Sequence, residues 1–508
     1  MPEAMSRAAT ARVADKSYKA AIDVLRSRRR PQRPTTDPLR LPKLAPSIPE
    51  TNGPLQIKGQ PSRVGMDSWL RRIGHSTAEV DKLNIIHVAG TKGKGSTCAY
   101  AESLLRAYGS RTGFPARTGL YTSPHLISYE ERIRINKAPI SRDLFAKYFF
   151  EVWDALLATD EGVNHLPRHF QLLALVSMHA FISEGVQAAV YETHHGGEYD
   201  ATNVIENPVI TIITSLGMDH VRQLGPGIEN IAWHKAGIFK RGADAFSAAQ
   251  DEAPARVLRE RAAEKDVTLR FVADGELLDK QHASQLKPDV QRLNCTLALA
   301  AVNQFLKRTA PAAAGPVLHD DITKAIQDFS WPGRFQTIED GDMKWYLEGA
   351  HNDMSITKSA EWFGELAQED DQALRILVFN QISEEKDGAE IFTKLASSLS
   401  HLRVDHVLLT DYIKYEDFDG IATEPAPDEK SQGDREREGP TTEEMTRIWH
   451  RYQPESVVVA EPGIESALAR IRELVEKGKN VQTLVTGSLY LVGGALYHLE
   501  KQMGRTSQ

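Results

Sequence analysis

The sequence predicts an α/β protein built from two doubly wound domains. Two observations carry this reading. Short, near-continuous apolar runs alternate with stretches of helical spacing, and the alternation restarts after Trp331-Pro332-Gly333-Arg334. Strands that read as continuous apolar runs are buried on both faces, which argues for parallel sheets covered by helices. Length agrees: 508 residues, at roughly 150 per domain, leave room for two or three.

Composition narrows the class. Apolar residues make up 41% and charged residues 26%, ordinary values for a soluble globular protein. Lys+Arg minus Asp+Glu is 61 − 69 = −8, so no global basic field holds nucleic acid or an anionic membrane. The two cysteines, Cys98 and Cys295, exclude a disulfide scaffold and a cysteine-rich zinc module. No run of about 18 apolar residues occurs, so no membrane insertion is expected. These features point to a soluble intracellular protein of more than one domain, expected in the cytoplasm.

Residues 1–62 open the chain. Tyr18, Ala21, Ile22 and Leu25 sit at helical spacing, while the Arg- and Ala-rich character of residues 1–30 leaves open a transit peptide and mitochondrial delivery. Pro31, Pro34, Pro38, Pro42, Pro46, Pro49, Pro54 and Pro61 make the following stretch an irregular connector. Residues 63–333 form the central domain. Ile85–Ala89 reads as a buried strand, and the helix after its glycine-rich turn carries Ala101, Leu104, Leu105 and Tyr108 before stopping at Gly109. Ala188–Tyr191 and Val209–Ile213 are further strands. Residues 334–508 form the smaller C-terminal domain, with strands at 344–347, 375–379, 406–409, 456–460 and 483–485 and a helix over 464–475. Residues 416–445, dense in Asp, Glu, Pro and Gly, read as a solvated or disordered insertion.

The turn between the first strand and helix is Gly90-Thr91-Lys92-Gly93-Lys94-Gly95-Ser96-Thr97. Its glycines let backbone N–H groups curl inward, and the helix N-terminus adds partial positive charge. Lys94 can reach terminal phosphate oxygens, and Ser96 or Thr97 can ligate Mg²⁺. The strict Walker pattern is not met, because Gly95 separates the lysine from the hydroxyl. Strand–loop–helix context still makes this a P-loop-type nucleotide-binding domain, expected to be an ATPase domain, followed by a smaller Rossmann-like α/β domain. Glu192 and His220 each follow a strand, at the carboxyl ends where open α/β sheets place ligands. A carboxylate, an imidazole and hydroxyls around a triphosphate suit Mg²⁺. Arg334 has the forked guanidinium suited to phosphate oxygens.

From this loop onward the chain resembles the folylpolyglutamate synthases, within the Mur ligase superfamily. The loop matches their Gly-Thr-x-Gly-Lys-Gly-Ser signature. Further matches are Thr118–Leu126, Glu131–Asn136, Pro139–Ser141, Gly196–Asn203, Leu216–His220, Ile231–Lys240, Trp331–Arg334, Gly349–Asn352 and Val485–Leu489, in the family's order over most of residues 80–494. The resemblance implies metal ligation by Ser123, Glu192 and His220, and carbamylation of Lys235 beside a second metal. It implies nucleotide contacts by Asn294, Arg334, Glu348 and His351. ATP would phosphorylate a reduced-folate γ-carboxylate, and the amine of L-glutamate would attack the acyl phosphate. A monovalent cation and a monomeric state go with it.

Four departures stand out. Glu-Val-Gly-x-Gly-Gly is replaced by Glu192-Thr193-His194-His195-Gly196-Gly197, and the usual Asp before Gly-Ala-His is Glu348. The stretch after Asn380 reads Gln381-Ile382-Ser383-Glu384-Glu385-Lys386-Asp387, and Tyr490 stands where the family has histidine. They leave two other readings open: a ligase of the same fold acting on a non-folate acid, and a non-catalytic nucleotide-binding paralogue. His194 and His195 could alter metal preference, touch a different acid, or be tolerated loop residues.

Overall fold

The computed structural model describes residues 15–29, 62–158, 166–368, 370, 372–381, 388–410, 440–475 and 480–504. The chain divides into two compact units, Met1–His125 with Tyr129–Ser330, and Leu126–Ser128 with Trp331–Gln508.

In the first unit the strands are β1 (Ile85–Ala89), β2 (Thr118–Tyr121), β3 (Ile133–Ile135), β4 (Ala138–Pro139), β5 (Ala188–Glu192), β6 (Ile210–Ile213), β7 (Asp244–Ala248) and β8 (Thr268–Val272). Their order is β4-β3-β2-β5-β1-β6-β7-β8. β1 runs parallel between β5 and β6, with Val88 opposite both Glu192 and Ile212. Every residue of these three strands is buried, which is why they read as near-continuous apolar runs. The sheet is not wholly parallel, however. β3 is antiparallel to β2 and β4 is antiparallel to β3. The β3–β4 link is only Asn136-Lys137, both at positive φ, which makes a tight hairpin and leaves no room for a crossover helix.

The helix leaving β1 spans Lys94–Thr112 and is capped by Gly113 at φ 82°. The expected stop at Gly109 is therefore corrected. Gly109 lies inside the helix, where a Cβ would sit 2.2 Å from the carbonyl oxygen of Pro115. Its missing side chain serves a close backbone approach rather than a cap. Tyr18–Ser27 is a helix capped by Ser17 Oγ, which accepts the Ala20 N–H at 3.2 Å. It buries Ala21, Ile22 and Leu25, and Arg28 beyond it donates to the carbonyls of Leu166 and Pro167. Residues 1–14 and the proline-rich residues 30–61 lie outside the described residues.

The second unit holds β9 (Gln336–Asp340), β10 (Met343–Glu348), β11 (Leu374–Phe379), β12 (His406–Thr410), β13 (Val457–Glu461) and β14 (Val481–Thr486), in the order β13-β12-β11-β14-β10-β9. Only the β9–β10 pair is antiparallel. One face packs on Trp362, Phe363, Phe392 and Trp449, the other on Ile464, Leu468, Ile471 and Leu496. Of the acidic stretch 416–445, residues 416–439 lie outside the described residues. Its end is folded, contrary to expectation: Thr441 caps a helix over Thr442–His450 that buries Met445, Ile448 and Trp449 at helical spacing. Of the divergent run after Asn380, residues 382–387 lie outside the described residues.

Gly109→Ala sets helix propensity, a gain of about 1 kcal/mol, against a collision with backbone that cannot yield like a side-chain tip. The collision should win, with a net loss of about 1–2 kcal/mol read as a lower urea midpoint. A raised midpoint would return Gly109 to the role of an ordinary helix breaker.

Candidate active site

The turn after β1 is shaped by bonds to the loop that follows β6. Thr91 and Lys92 N–H both donate to Ser215 O, at 3.0 and 3.2 Å, and Thr91 Oγ1 exchanges 3.2 Å hydrogen bonds with the backbone of Gly217. Gly93 adopts φ +82°, where a side chain would be strained, and a Cβ there would meet Asn294 Oδ1 at 2.3 Å. Asn294 is thus not a helix-surface amide. It lies buried on the helix Asp289–Thr309 and accepts a hydrogen bond from Thr97 Oγ1 at 3.3 Å. Thr97 spends its hydroxyl on that bond, and Ser96 stands one residue earlier in the same first turn.

Charge converges on this turn. Lys94 Nζ donates to Thr91 O at 3.4 Å and lies 4.0 Å from Glu192 Oε1. Lys92 Nζ pairs with Asp219 Oδ2 at 3.3 Å. Lys235 Nζ, buried, donates to Gly90 O at 2.6 Å. Burial first, and then the nearby Lys94, push the Lys235 amine well below the lysine range, against the pull of Asp219. The helix Ile228–Lys235 delivers it there because Ala232 and Trp233 pack with Ala89 and Ile213 at the ends of β1 and β6.

Glu192 ends β5, 4% exposed, and its Oε2 accepts the Ser123 N–H at 3.0 Å. Ser96, Ser123 and Glu192 therefore offer hard oxygen donors around the turn, a set that fits Mg²⁺. His220 lies at φ 53° before a single helical turn, and its ring packs edge-on against His195 with centroids 4.3 Å apart. His195, one of the two histidines in the stretch that departs from the family's pattern, thus lies against the ring of His220.

His194 is no idle loop residue. Its side chain is 3% exposed, Nε2 lies 2.6 Å from the Tyr121 hydroxyl, and Nδ1 lies 3.3 Å from Asp200 Oδ1. Asp200 also accepts from the Thr202 hydroxyl at 2.7 Å and the His195 N–H at 2.7 Å. Burial works against its charge, yet His194 and these donors hold its carboxyl well below the usual range. Below this cluster His87, fully buried on β1, bonds Thr202 Oγ1 at 2.9 Å, and burial pushes its imidazole down to about 3.

The other designated residues belong to the second unit. Glu348, 3% exposed at the end of β10, accepts the Phe335 N–H at 2.7 Å and lies 3.6 Å from Arg334 Nη1. Gly349 O faces His351 Nδ1 at 2.9 Å. Glu348 thus holds the chain turn at Arg334 in place, a structural task the sequence did not signal.

A turn of this kind, on a doubly wound sheet and followed by a second α/β unit, marks the class of two-domain Mur-type ligases. Residues 333–498 match the family model described as dihydrofolate synthetase, C-terminal domain. A folylpolyglutamate synthase of Neurospora crassa is 38% identical over 460 residues, covering 86% of this chain and 85% of the relative. A probable folylpolyglutamate synthase of Schizosaccharomyces pombe is 36% identical over 466 residues, covering 88% and 89%. Among solved structures, the Mycobacterium tuberculosis folylpolyglutamate synthase complexed with ADP shares the fold at TM-score 0.68 and 24% identity, over 89% of this chain and 96% of that one. The chain belongs to the folylpolyglutamate synthase family of ATP-dependent ligases.

Two outcomes follow from the histidines. His194→Gly strips partners from a buried carboxylate and a buried phenol, and should cost about 3 kcal/mol, read as a lower urea midpoint. An unchanged midpoint would make His194 a neutral loop residue. For His87 the folded state binds its proton only near pH 3, whereas the unfolded chain does so near 6.5. Between these values the unfolded state holds more protons, so stability rises with pH and is lost on acidification, by up to about 1.4 kcal/mol per pH unit. His87→Gln keeps a partner for Thr202 and should flatten stability between pH 6.5 and 5 by that amount. An identical pH slope in the variant would show that His87 is not the group responsible.

Proposed function

We propose that this enzyme joins L-glutamate to the γ-carboxylate of reduced folate and its polyglutamates. A carboxylate oxygen of the folate attacks the γ-phosphorus of ATP, forming an acyl phosphate and releasing ADP. The glutamate amine then attacks the acyl carbon, phosphate leaves, and the amide remains. The carrying observation is Lys94, curled over the glycine turn and facing buried Glu192.

In this reading the N–H groups of residues 90–97 and the Lys94 ammonium hold the polyphosphate, since phosphoryl transfer depends on positioning and charge stabilisation. Ser96, Ser123, Glu192 and His220 would hold Mg²⁺, which neutralises charge on the transferring phosphoryl group. The depressed Lys235 amine is the neutral form that captures carbon dioxide as a carbamate, and a monovalent cation would balance the added charge. Arg334 and His351 bind the nucleotide, Asn294 holds the turn and meets the base, and Glu348 keeps Arg334 oriented.

We place the reaction in the cytoplasm, carried out by a monomer. Among the described residues no helix is long and apolar enough to cross a membrane. Cleavage near residue 30 for mitochondrial entry would remove the packed helix Tyr18–Ser27, which weighs against that route.

The test is incubation with ATP, Mg²⁺, tetrahydrofolate and L-glutamate, followed by mass spectrometry. Folate extended by one or more glutamyl units is expected. A parallel reaction with dihydropteroate covers the activity suggested by the family model over residues 333–498. Tetrahydrofolate left without an added glutamyl unit would overturn the reading, and product from dihydropteroate alone would move the activity to that acid. Lys94→Ala should lower kcat/KM by about 10³-fold while the thermal midpoint stays put. Near-normal turnover would remove Lys94 from the phosphate role.

A further inference from the structure

Asp279, His282 and His319 meet in the first unit, apart in sequence from every residue assigned above. Asp279 caps the helix Lys280–Gln285, its Oδ1 accepting the His282 N–H at 2.8 Å. Its other oxygen, Oδ2, lies 3.3 Å from His282 Nδ1 and 3.1 Å from His319 Nδ1. The two imidazole centroids are 4.4 Å apart.

The hydrogen bonds around His282 accommodate a tautomer poised for a metal. Thr323 Oγ1 donates to the His319 carbonyl at 3.2 Å, so toward His282 Nε2, 2.8 Å away, its oxygen acts as acceptor. In that tautomer His282 Nε2 bears hydrogen, and Nδ1 aims a lone pair at a carboxylate oxygen that already faces a second imidazole. Electron-pair donors turned on one another in this way repel unless a proton or a metal cation lies among them. One ring nitrogen on an ion and the other tethered to a neighbour is the usual arrangement of a metal-bound histidine.

The spacing agrees. A tetrahedral zinc ion with bonds of about 2.0–2.1 Å separates its ligand atoms by about 3.3 Å. Two of the separations are 3.3 and 3.1 Å, and all three ligand atoms lie within 4.8 Å of one another. Two imidazoles select a borderline ion over Mg²⁺. We propose that Asp279 Oδ2, His282 Nδ1 and His319 Nδ1 form a zinc site, with water completing the shell on the exposed side.

The ion would act as a staple. His319 opens the helix His319–Gln327, which is fastened to the phosphate-loop helix by the Arg111–Asp321 pair at 2.7 Å and by Ser103 Oγ donating to Ala325 O at 2.8 Å. Lys280–Gln285 leads into the helix that carries Asn294. Zinc would thus tie together two helices whose neighbours shape the turn at Gly93.

The experiment titrates Zn²⁺ into full-length protein holding saturating Mg²⁺ and ADP, against a chelating dye. Asp279→Asn, which keeps a capping oxygen, and His319→Ala, at an exposed position, are compared with the parent. One equivalent should bind to the parent, weakened at least tenfold in each variant, with zinc-free thermal midpoints unchanged. Absence of binding to the parent would overturn the site. So would zinc that stays equally tight in both variants but is lost in Glu192→Gln, which would move it to the phosphate turn. Equal affinity in all four proteins would likewise leave Asp279 and His319 as plain ion-pair partners.

Discussion

The turn from β1 into the helix Lys94–Thr112 is the constraint on which the rest of the first unit depends. It crowds three lysines around a few backbone carbonyls, and that crowding has consequences for each. Lys92 is neutralised by Asp219, Lys94 faces Glu192, and Lys235 is driven toward its neutral form, first by burial and then by Lys94. A single turn thereby holds one ammonium suited to phosphate and one amine suited to covalent modification. Burial and neighbouring charge, not residue type, separate the two roles.

Support for this turn comes from below and from the side. The Tyr121–His194–Asp200 chain and His87 fill the space under the residues that follow β5, where a simple glycine would leave polar groups without partners. His194 thus seats a buried side chain between the Tyr121 hydroxyl and the Asp200 carboxylate. The backbone of residues 197–200 also presses against the end of the helix that carries Lys235. Glu198 N–H donates to His234 O at 2.7 Å, and a Cβ on Gly237 would lie 2.3 Å from Glu198 Cα.

Much of this was legible in sequence where the signal is local. β1, the glycine turn and the first helix are contiguous, and the three central strands are near-continuous apolar runs. β3, β4 and β9 escaped notice because short strands in hairpins carry little apolar pattern, and β8, at the edge of its sheet, alternates exposed and half-buried residues. Gly109 misled for a physical reason: a glycine needed for close packing inside a helix is indistinguishable from one needed after it. The environment of His194 was hidden because its partner Tyr121 lies 73 positions away in the chain. Glu348 was legible as an acid near a nucleotide motif but not as the acceptor for Phe335. That bond depends on the turn at Arg334, which no local pattern encodes.

Transfer of the γ-phosphoryl group to the substrate carboxylate is the step on which the proposed reaction depends. It is tested most directly by labelling both γ-carboxylate oxygens of tetrahydrofolate with ¹⁸O and following the label during a single turnover with ATP and L-glutamate. Transfer of one labelled oxygen into inorganic phosphate for each amide formed is the predicted result. Phosphate free of label, with amide still made, would contradict it.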